Sequence, residues 1–286
     1  MFVWLASYPK SGNTWLRSML AAYFFSNTGI YNFDLITNIK QFPETGLFKN
    51  LGIDVENEQE VIKNYIKVQE NFNNKNSIQF LKTHSYLFNI NNNAFTNLDN
   101  SLGAIYIVRD PRNVVTSWAN FLGISNDEAA DKLINAHALG GEKFNQDKKL
   151  ERIVITYTGS WGSNYVSWKS FNTQGKYLLI KYENLIEHSD YIFRDVLKFI
   201  YKINGTKFKI DQNKFKNVIE TTNFENMKKL EKKKGFVEAR INHKTGKKSS
   251  FFNLGPKNDW KTNLEDNIRA KIEKAFQKEM IELGYL

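Results

Sequence analysis

Residues 2–15 read FVWLASYPKSGNTW, an apolar run followed at once by a short polar loop. The apolar and aromatic side chains of residues 2–8 predict a buried strand. Beyond the loop, Leu16, Met19, Leu20, Tyr23 and Phe24 recur at helical spacing. Backbone N–H groups at a helix N-terminus carry a partial positive charge and suit a phosphate or sulfate ligand. The stretch therefore predicts a strand, an anion-binding loop and a helix.

The loop residues fit this interpretation. Gly12 lets the backbone approach an anion closely, Lys10 adds a full charge, and Ser11, Asn13 and Thr14 add short side-chain donors. From these residues alone, the alternative to an anion-binding loop is a helix that Ser11 or Asn13 caps, with Lys10 exposed to solvent. A Walker A loop places its lysine after the last glycine, whereas Lys10 precedes Gly12. An ordinary ATP or GTP site is therefore not predicted.

Further strands and helices alternate along the chain. Short runs rich in β-branched and aromatic residues at 78–81, 104–108 and 177–180 predict buried parallel strands, and amphipathic stretches at 55–72, 127–138, 186–201 and 264–283 predict helices. Residues 89–100 are expected to form loops, and the Lys-rich run after Met227 a mobile surface segment. With neither a repeat nor a linker, residues 1–286 are expected to form one layered α/β domain.

Composition excludes several classes of protein. The chain has no cysteine, so disulfides, thiolate zinc sites and cysteine nucleophiles are excluded. The formal net charge of +10 suggests a polyanionic partner such as nucleic acid, a membrane surface or a multiply phosphorylated ligand. The Lys-rich segments 228–234 and 244–248 are typical of solvated surface, so nucleic acid is not expected. The first apolar run is too short for a membrane span and lacks signal-peptide features, and a cytoplasmic protein is expected.

Two more strand ends carry side chains suited to an anion site. Residues 106–118 read YIVRDPRNVVTSW, in which Asp110 can cap a helix, Pro111 fits its first turn, and Ser117 follows about two turns later. Arg109 would emerge at the end of the strand, where open α/β sheets bind ligands. The alternative is that Arg109 pairs with a carboxylate and that the Ser117 hydroxyl hydrogen-bonds to the backbone of its own helix. Residues 80–84, FLKTH, end another predicted strand with His84, and a lone histidine is more often structural than catalytic.

The loop of residues 8–15 resembles the 5′-phosphosulfate-binding loop of the cytosolic-type sulfotransferases, Tyr-Pro-Lys-Ser-Gly-Thr-Thr-Trp, and only Asn13 departs from it. The other two segments are similar to that family's 3′-phosphate motif, with Arg109 and Ser117 at its ligand positions, and to its Lys-Thr-His motif, with His84 as general base. The resemblance implies one P-loop-like domain with a central parallel sheet and helices on both faces. It also implies 3′-phosphoadenosine 5′-phosphosulfate (PAPS) as sulfuryl donor and 3′-phosphoadenosine 5′-phosphate (PAP) as product.

The resemblance also assigns roles to residues. It implies catalytic roles for His84, Lys10, Lys82 and Ser117, the two lysines neutralising charge on the leaving and sulfuryl oxygens. It implies that the donor contacts a larger set: Lys10, Ser11, Gly12, Asn13, Thr14, Trp15, Arg109, Ser117, Tyr182, Thr222, Phe224 and Gly255. Trp15 and Phe224 would sandwich the adenine.

A late segment departs from the family pattern. Residues 254–261 resemble the family's Arg-Lys-Gly-x-x-Gly-Asp-Trp-Lys motif, but Asn253 and Leu254 replace its two basic residues. The family's 3′-phosphate clamp is then weakened unless Lys247, Lys248 or Lys257 supplies the missing charge.

Three other functions are kept open. A nucleotide-dependent kinase would need magnesium, a nucleic-acid-binding module would bind with a steep salt dependence, and a degenerate homologue would bind the donor without turnover. No metal is expected, because no carboxylate cluster is apparent. The expected acceptor is a hydroxyl or amine of a small molecule, sugar or lipid, classes that the sequence does not separate, and residues 29–72 and 122–161 are expected to form its pocket.

Overall fold

The structure, a computed structural model, describes residues 1–139, 154–236, 238–239 and 250–286. Its strands are β1 (Phe2–Ser7), β2 (Lys40–Gln41), β3 (Gln79–Thr83), β4 (Asn89–Ile90), β5 (Asn93–Ala94), β6 (Ser101–Val108), β7 (His137–Leu139), β8 (Thr156–Gly159) and β9 (Tyr177–Lys181). Its α-helices are α1 (Asn13–Phe25), α2 (Thr45–Lys49), α3 (Glu58–Lys63), α4 (Tyr65–Phe72), α5 (Pro111–Leu122), α6 (Asn126–Ile134), α7 (Trp161–Trp168), α8 (Tyr182–Glu187), α9 (Ser189–Ile203), α10 (Gln212–Thr221), α11 (Phe224–Lys234), α12 (Trp260–Asn263), α13 (Asp266–Ala275) and α14 (Gln277–Glu282). Short 3-10 helices span Leu35–Asn38, Lys169–Gln174 and Gly255–Lys257.

A five-stranded parallel sheet forms the centre of the fold, in the order β2-β3-β1-β6-β9. β1 lies in the middle, with Ala6 opposite Thr83 of β3 and Ser7 opposite Ile107 of β6. All these strands run in the same direction, so the segments that follow them emerge at one edge of the sheet. That edge receives the loops predicted to carry the chemistry.

The sheet is covered on both faces, which explains why its strands are continuously apolar. Alternate residues of β1 enter different cores: Phe2, Trp4 and Ala6 join one cluster, and Val3 and Leu5 join the other. The first cluster includes side chains of α5 and α7, and the second includes side chains of α1 and α9. The predicted sheet with helices on both faces is confirmed, whereas the single-domain organisation stays a prediction.

The four predicted strands are present, but several other predictions were wrong in detail. The stretch 55–72 forms two helices rather than one, because the Asn64 side chain donates to the Glu60 carbonyl and Asn64 ends α3. The helix predicted at 127–138 ends at Ile134, and His137 begins a strand paired with β8. The stretch 89–100 contains the small β4–β5 hairpin. β2 was not predicted, since two exposed residues carry no strand pattern.

The Lys-rich run after Met227, predicted as a mobile surface segment, forms a helix. It belongs to α11, whose N-terminus is capped by the Asn223 side chain accepting from the Asn226 N–H. Met227 and Glu231 are buried on one side, and Lys232, Lys233 and Lys234 lie in the last turn, where positive charge favours a helix C-terminus.

Candidate active site

One cleft of about 460 Å³ opens at the carboxyl edge of the sheet. The loop after β1, the end of β3, the segment after β6, the second half of α5 and the start of α8 all line it. The predicted residues that line it are Lys10, Gly12, Asn13, Thr14, Trp15, Lys82, His84, Arg109, Ser117, Tyr182, Thr222, Phe224 and Gly255. Residues far apart in the chain thus share one cavity, because their strands are parallel neighbours.

Gly12 shapes the loop after β1. Its φ of 101° is in the left-handed region, and a Cβ atom there would lie 2.4 Å from Cδ2 of Tyr182. Only glycine therefore lets the loop approach α8 this closely. Gly12 is the N-cap of α1 and no side chain caps that helix, so the alternative of a cap by Ser11 or Asn13 is wrong. The first N–H groups of α1 are left for a ligand.

Two side chains of the loop turn away from the predicted role. The Asn13 amide donates to the Leu5 carbonyl at 2.9 Å and to Ser7 Oγ at 3.1 Å, so it braces the loop on β1. Ser11 is fully buried and is not among the residues that line the cleft. For Asn13 the backbone, rather than the side chain, is what the structure offers to an anion, and the contact predicted for Ser11 stays a prediction.

Lys10 projects into the cleft between two aromatic rings. Its Nζ atom lies 4.2 Å from the centroid of Phe121 and 4.5 Å from that of Phe251. Cation–π attraction to both rings holds the ammonium in place while it stays charged. Neither phenylalanine was predicted as part of the site.

His84 follows β3 directly and packs against the end of β1. Its Nδ1 atom lies 2.9 Å from the Ser7 carbonyl oxygen and 3.3 Å from Ser7 Oγ. A carbonyl only accepts, so Nδ1 carries the proton and Nε2 keeps its lone pair. Burial, together with the charge of Lys82, lowers the pKa of His84 to about 3. The imidazole is therefore neutral near pH 7, as a proton acceptor requires.

Lys82 and Glu238 form an unpredicted ion pair beside His84. The Lys82 Nζ atom lies 3.6 Å from Glu238 Oε1. Burial lowers the pKa of Lys82, and the Glu238 charge opposes that change. Glu238 also accepts hydrogen bonds from Arg17 and from Thr14. Burial alone would raise the pKa of the Glu238 carboxyl, but Lys82 and Arg17 together hold it well below its ordinary value.

Arg109 lies at the start of the segment after β6, as predicted. Its guanidinium donates to the Lys10 carbonyl at 3.1 Å and lies 4.4 Å from the centroid of Tyr182. Its Nε atom is buried and has no hydrogen-bond partner in the described part of the chain. Asp110 caps α5 and Pro111 occupies its first turn, which places Ser117 two turns into the helix on the same cleft wall.

The predicted adenine residues line the same cleft. Tyr182 begins α8 and its ring makes an edge contact with Trp15, with centroids 6.2 Å apart. Gly255 has φ of 55°, and a Cβ atom there would lie 2.1 Å from Cε2 of Phe224. The Thr222 hydroxyl donates to the Val218 carbonyl at 2.7 Å. Trp15 and Phe224 are both half-buried against this space.

The late segment lines the cleft but brings no described basic side chain to it. Asn253, Leu254 and Gly255 are lining residues, whereas Lys257 is not. Lys247 and Lys248 lie outside the described residues. The source of the missing charge stays a prediction.

Side chains from both expected acceptor stretches reach the cleft. Gln41 comes from the first, and Leu139, Val154 and Thr156 come from the second. Among the described residues, no group of three or more His, Asp or Glu is placed to hold a metal ion. The expectation that no metal takes part stays a prediction.

Arg17 could have been noticed in the sequence, because it interrupts an otherwise apolar helix face. It is buried in α1, and its guanidinium contacts Glu238 and the Ile39 carbonyl. Glu238 and Gln41 carry no comparable local signal, since their roles depend on which distant elements pack beside them.

A family model described as a sulfotransferase domain matches residues 2–284 of this chain. The flavonol 3-sulfotransferase of Flaveria bidentis is 24% identical over 97% of this chain and 81% of the relative. Sulfotransferase 1E1 of Mus musculus is 23% identical over 96% of this chain and 82% of the relative.

Solved structures share the fold. Mouse sulfotransferase SULT7A1 complexed with PAP matches with a TM-score of 0.56 and 18% identity, covering 98% of this chain and 84% of that one. Retinol dehydratase in complex with androsterone and inactive cofactor PAP matches with a TM-score of 0.60 and 16% identity, covering 98% of this chain and 80% of that one. These likenesses confirm the predicted P-loop-like fold class. Within the described residues, no helix has the length and apolar character needed to cross a membrane.

Proposed function

Because the chain belongs to the sulfotransferase family, we propose that it transfers the sulfuryl group of PAPS to a hydroxyl or amine of a small-molecule, sugar or lipid acceptor. The observation that carries this proposal is the convergence of Lys10, Lys82, His84 and Arg109 in one cleft. A nucleic-acid partner is not part of the proposal. The cytoplasmic location stays a prediction.

The cleft fits the donor in three respects. The uncapped N-terminus of α1 offers N–H groups to a 5′-phosphosulfate. The buried, unpartnered Nε of Arg109, with Ser117 on the same wall, suits the 3′-phosphate. The rings of Trp15 and Phe224 suit a flat purine. These residues, together with Tyr182 and the close-packed Gly255, are the proposed donor site.

The proposed chemistry is in-line transfer. The donor supplies an activated sulfuryl group: a bond forms between its sulfur and the acceptor oxygen or nitrogen as the bond to the bridging oxygen breaks, and PAP leaves. His84 takes the acceptor's proton at Nε2, because its Nδ1–H is held on the Ser7 carbonyl.

The lysines stabilise the charge that this reaction develops. Lys10 and Lys82 line the same cleft as His84, and their ammonium groups are proposed to offset negative charge on the sulfuryl and leaving oxygens. Ser117 is proposed to bind the 3′-phosphate with Arg109 and to orient the donor toward them. The resulting imidazolium at His84 returns its proton to solvent when the product leaves.

Labelled PAPS and a panel of phenols, aliphatic alcohols, sugars and amines test the proposal. Transfer of label to any member, with one PAP formed for each sulfate ester or sulfamate, supports it. Magnesium-dependent phosphoryl transfer from ATP, with no transfer from PAPS, would favour the kinase instead. PAP binding without transfer to any acceptor class would identify a degenerate homologue.

A further inference from the structure

Glu238 places a negative charge among residues that we assign to the donor. Its Oε2 atom accepts from Thr14 Oγ1 at 3.0 Å, and its Oε1 atom lies 2.6 Å from Arg17 and 3.6 Å from Lys82. Thr14 belongs to the anion-binding loop and Lys82 to the proposed reaction centre. The carboxylate lines the same cleft as both.

This cluster has the composition of an anion subsite. One hydroxyl, one ammonium and one guanidinium converge on a single carboxylate, and the neighbouring positive charges keep that carboxylate ionised. A phosphate or sulfuryl group uses the same donors. Two anions cannot share these donors at hydrogen-bond distance without strong repulsion.

The cations of this cluster are both buried. The Arg17 side chain is only 6% exposed and also donates to the Ile39 carbonyl at 3.3 Å, while the Lys82 side chain is 9% exposed and extends from a central strand of the sheet. A buried cation that loses its counter-ion is strongly destabilised. Removal of the carboxylate is therefore favourable only when another anion replaces it.

We propose that Thr14 and Lys82, supported by the charge of the buried Arg17, form a subsite for the phosphosulfate end of the donor, and that Glu238 fills this subsite as an internal competitor until the donor displaces it. The inference rests on the proposed function. Arg17 is not among the residues that line the cleft, so its guanidinium acts on the subsite through its charge.

The consequence is a reduced affinity for the 5′ end of the nucleotide. The apparent Kd of the donor equals its intrinsic Kd divided by the fraction of molecules in which the subsite is free of the carboxylate. Glu238→Gln keeps the shape of the side chain but removes its charge, so the amide competes less well with a phosphate. We expect the Kd of PAP to fall about tenfold in this variant.

Calorimetry with two nucleotides tests the inference. PAP carries the 5′-phosphate, whereas adenosine 3′-phosphate lacks it. Glu238→Gln is expected to lower the Kd of PAP about tenfold. The Kd of adenosine 3′-phosphate should stay within about twofold of its wild-type value, because only the 5′ group competes with the carboxylate.

Glu282→Gln is the matched control. Glu282 pairs with Lys169 and accepts a hydrogen bond from Tyr165, is not among the cleft residues, and loses the same single charge. A change of PAP affinity caused only by overall charge would appear equally in both variants, and equal changes would overturn the inference.

The outcomes separate the inference from the proposed function. If wild-type protein does not bind PAP, the proposed function fails. If wild-type protein binds PAP and Glu238→Gln binds it no more tightly, Glu238 is a permanent counter-ion and the inference is wrong. Should the variant not fold, a crystal structure of wild-type protein with PAP decides: a carboxylate displaced from Thr14 and Lys82 supports the inference, and one still bonded to both contradicts it.

Discussion

The Nδ1 atom of His84 donates to the backbone carbonyl of Ser7, 2.9 Å away, across the boundary between β3 and β1. The pairing of Ala6 with Thr83 brings the next residue of each strand into contact at the edge of the sheet. The orientation of the imidazole therefore depends on strand register rather than on another side chain. A base held in this way keeps its reactive nitrogen free without needing a carboxylate partner.

Replacement of His84 separates binding from chemistry. His84→Gln is expected to lower sulfuryl transfer to an aliphatic alcohol by roughly 10² to 10⁴, because a general base is lost. Stabilisation by PAP should persist, as measured by the melting temperature. His188→Gln, which changes an exposed histidine, is the control. If His84→Gln transfers the sulfuryl group at the wild-type rate, His84 has a structural role instead.

Buried neutral His84 makes stability depend on pH. Its folded pKa of about 3 lies below the unfolded value of 6.5, so between these values only the unfolded chain binds the proton. The free energy of unfolding should therefore fall as pH falls from 6.5 to 4.5, by on the order of 1 kcal/mol per pH unit from this group. Urea denaturation should show a shallower slope in His84→Gln. Burial also lowers the pKa of His137, so part of the pH dependence of stability should remain in the variant.

The Arg109 anchor predicts selectivity for the 3′-phosphate. PAP should raise the melting temperature much more than adenosine 5′-phosphate does, because a ligand that binds only the folded state stabilises it. Arg109→Ala should reduce the difference between the melting-temperature shifts that the two nucleotides cause. Equal shifts from both nucleotides in wild-type protein would contradict the assignment of Arg109 and Ser117.

Lys10 is predicted to act in the chemical step. Lys10→Ala should lower the single-turnover rate by about a hundredfold or more, with a smaller effect on the Kd of PAP, because the ammonium stabilises charge that develops during transfer. Lys63→Ala, on an exposed face of α3, is the control. Weaker binding at an unchanged rate would show that Lys10 only positions the donor.

Gly255 tests the adenine end of the cleft. In Gly255→Ala the new Cβ meets the Phe224 ring, and PAP affinity should fall on the order of tenfold, equivalent to about 1.4 kcal/mol of lost stacking. Gly175→Ala is the matched control, because its φ of 62° imposes similar strain but no atom lies within 4 Å. Equal PAP affinity in the two variants would mean that Phe224 does not bind the purine.

Much of the architecture was readable because local patterns carry it. Apolar runs predicted the four main strands, and the loop after β1, Arg109 and His84 were each recognisable as residues at the end of a strand. Parallel strands bring such residues to one edge of the sheet, so sequence order alone was enough to predict that they share a site. Helix ends were less predictable, since Asn64 and His137 interrupt amphipathic stretches through side-chain bonding and strand pairing.

The sequence by itself determined the fold class and the anion loop, because these depend on neighbouring residues and on strand direction, and the resemblance of residues 82–84 to a family motif supplied the candidate base. Only the tertiary structure decided that Glu238 reaches Arg17 across 221 positions of the chain, and that Phe121 and Phe251 enclose Lys10. It also decided that the Asn13 amide bonds to β1 and that burial lowers the pKa of His84. Such contacts and fields arise from the packing of distant segments, which leaves no local pattern in the sequence.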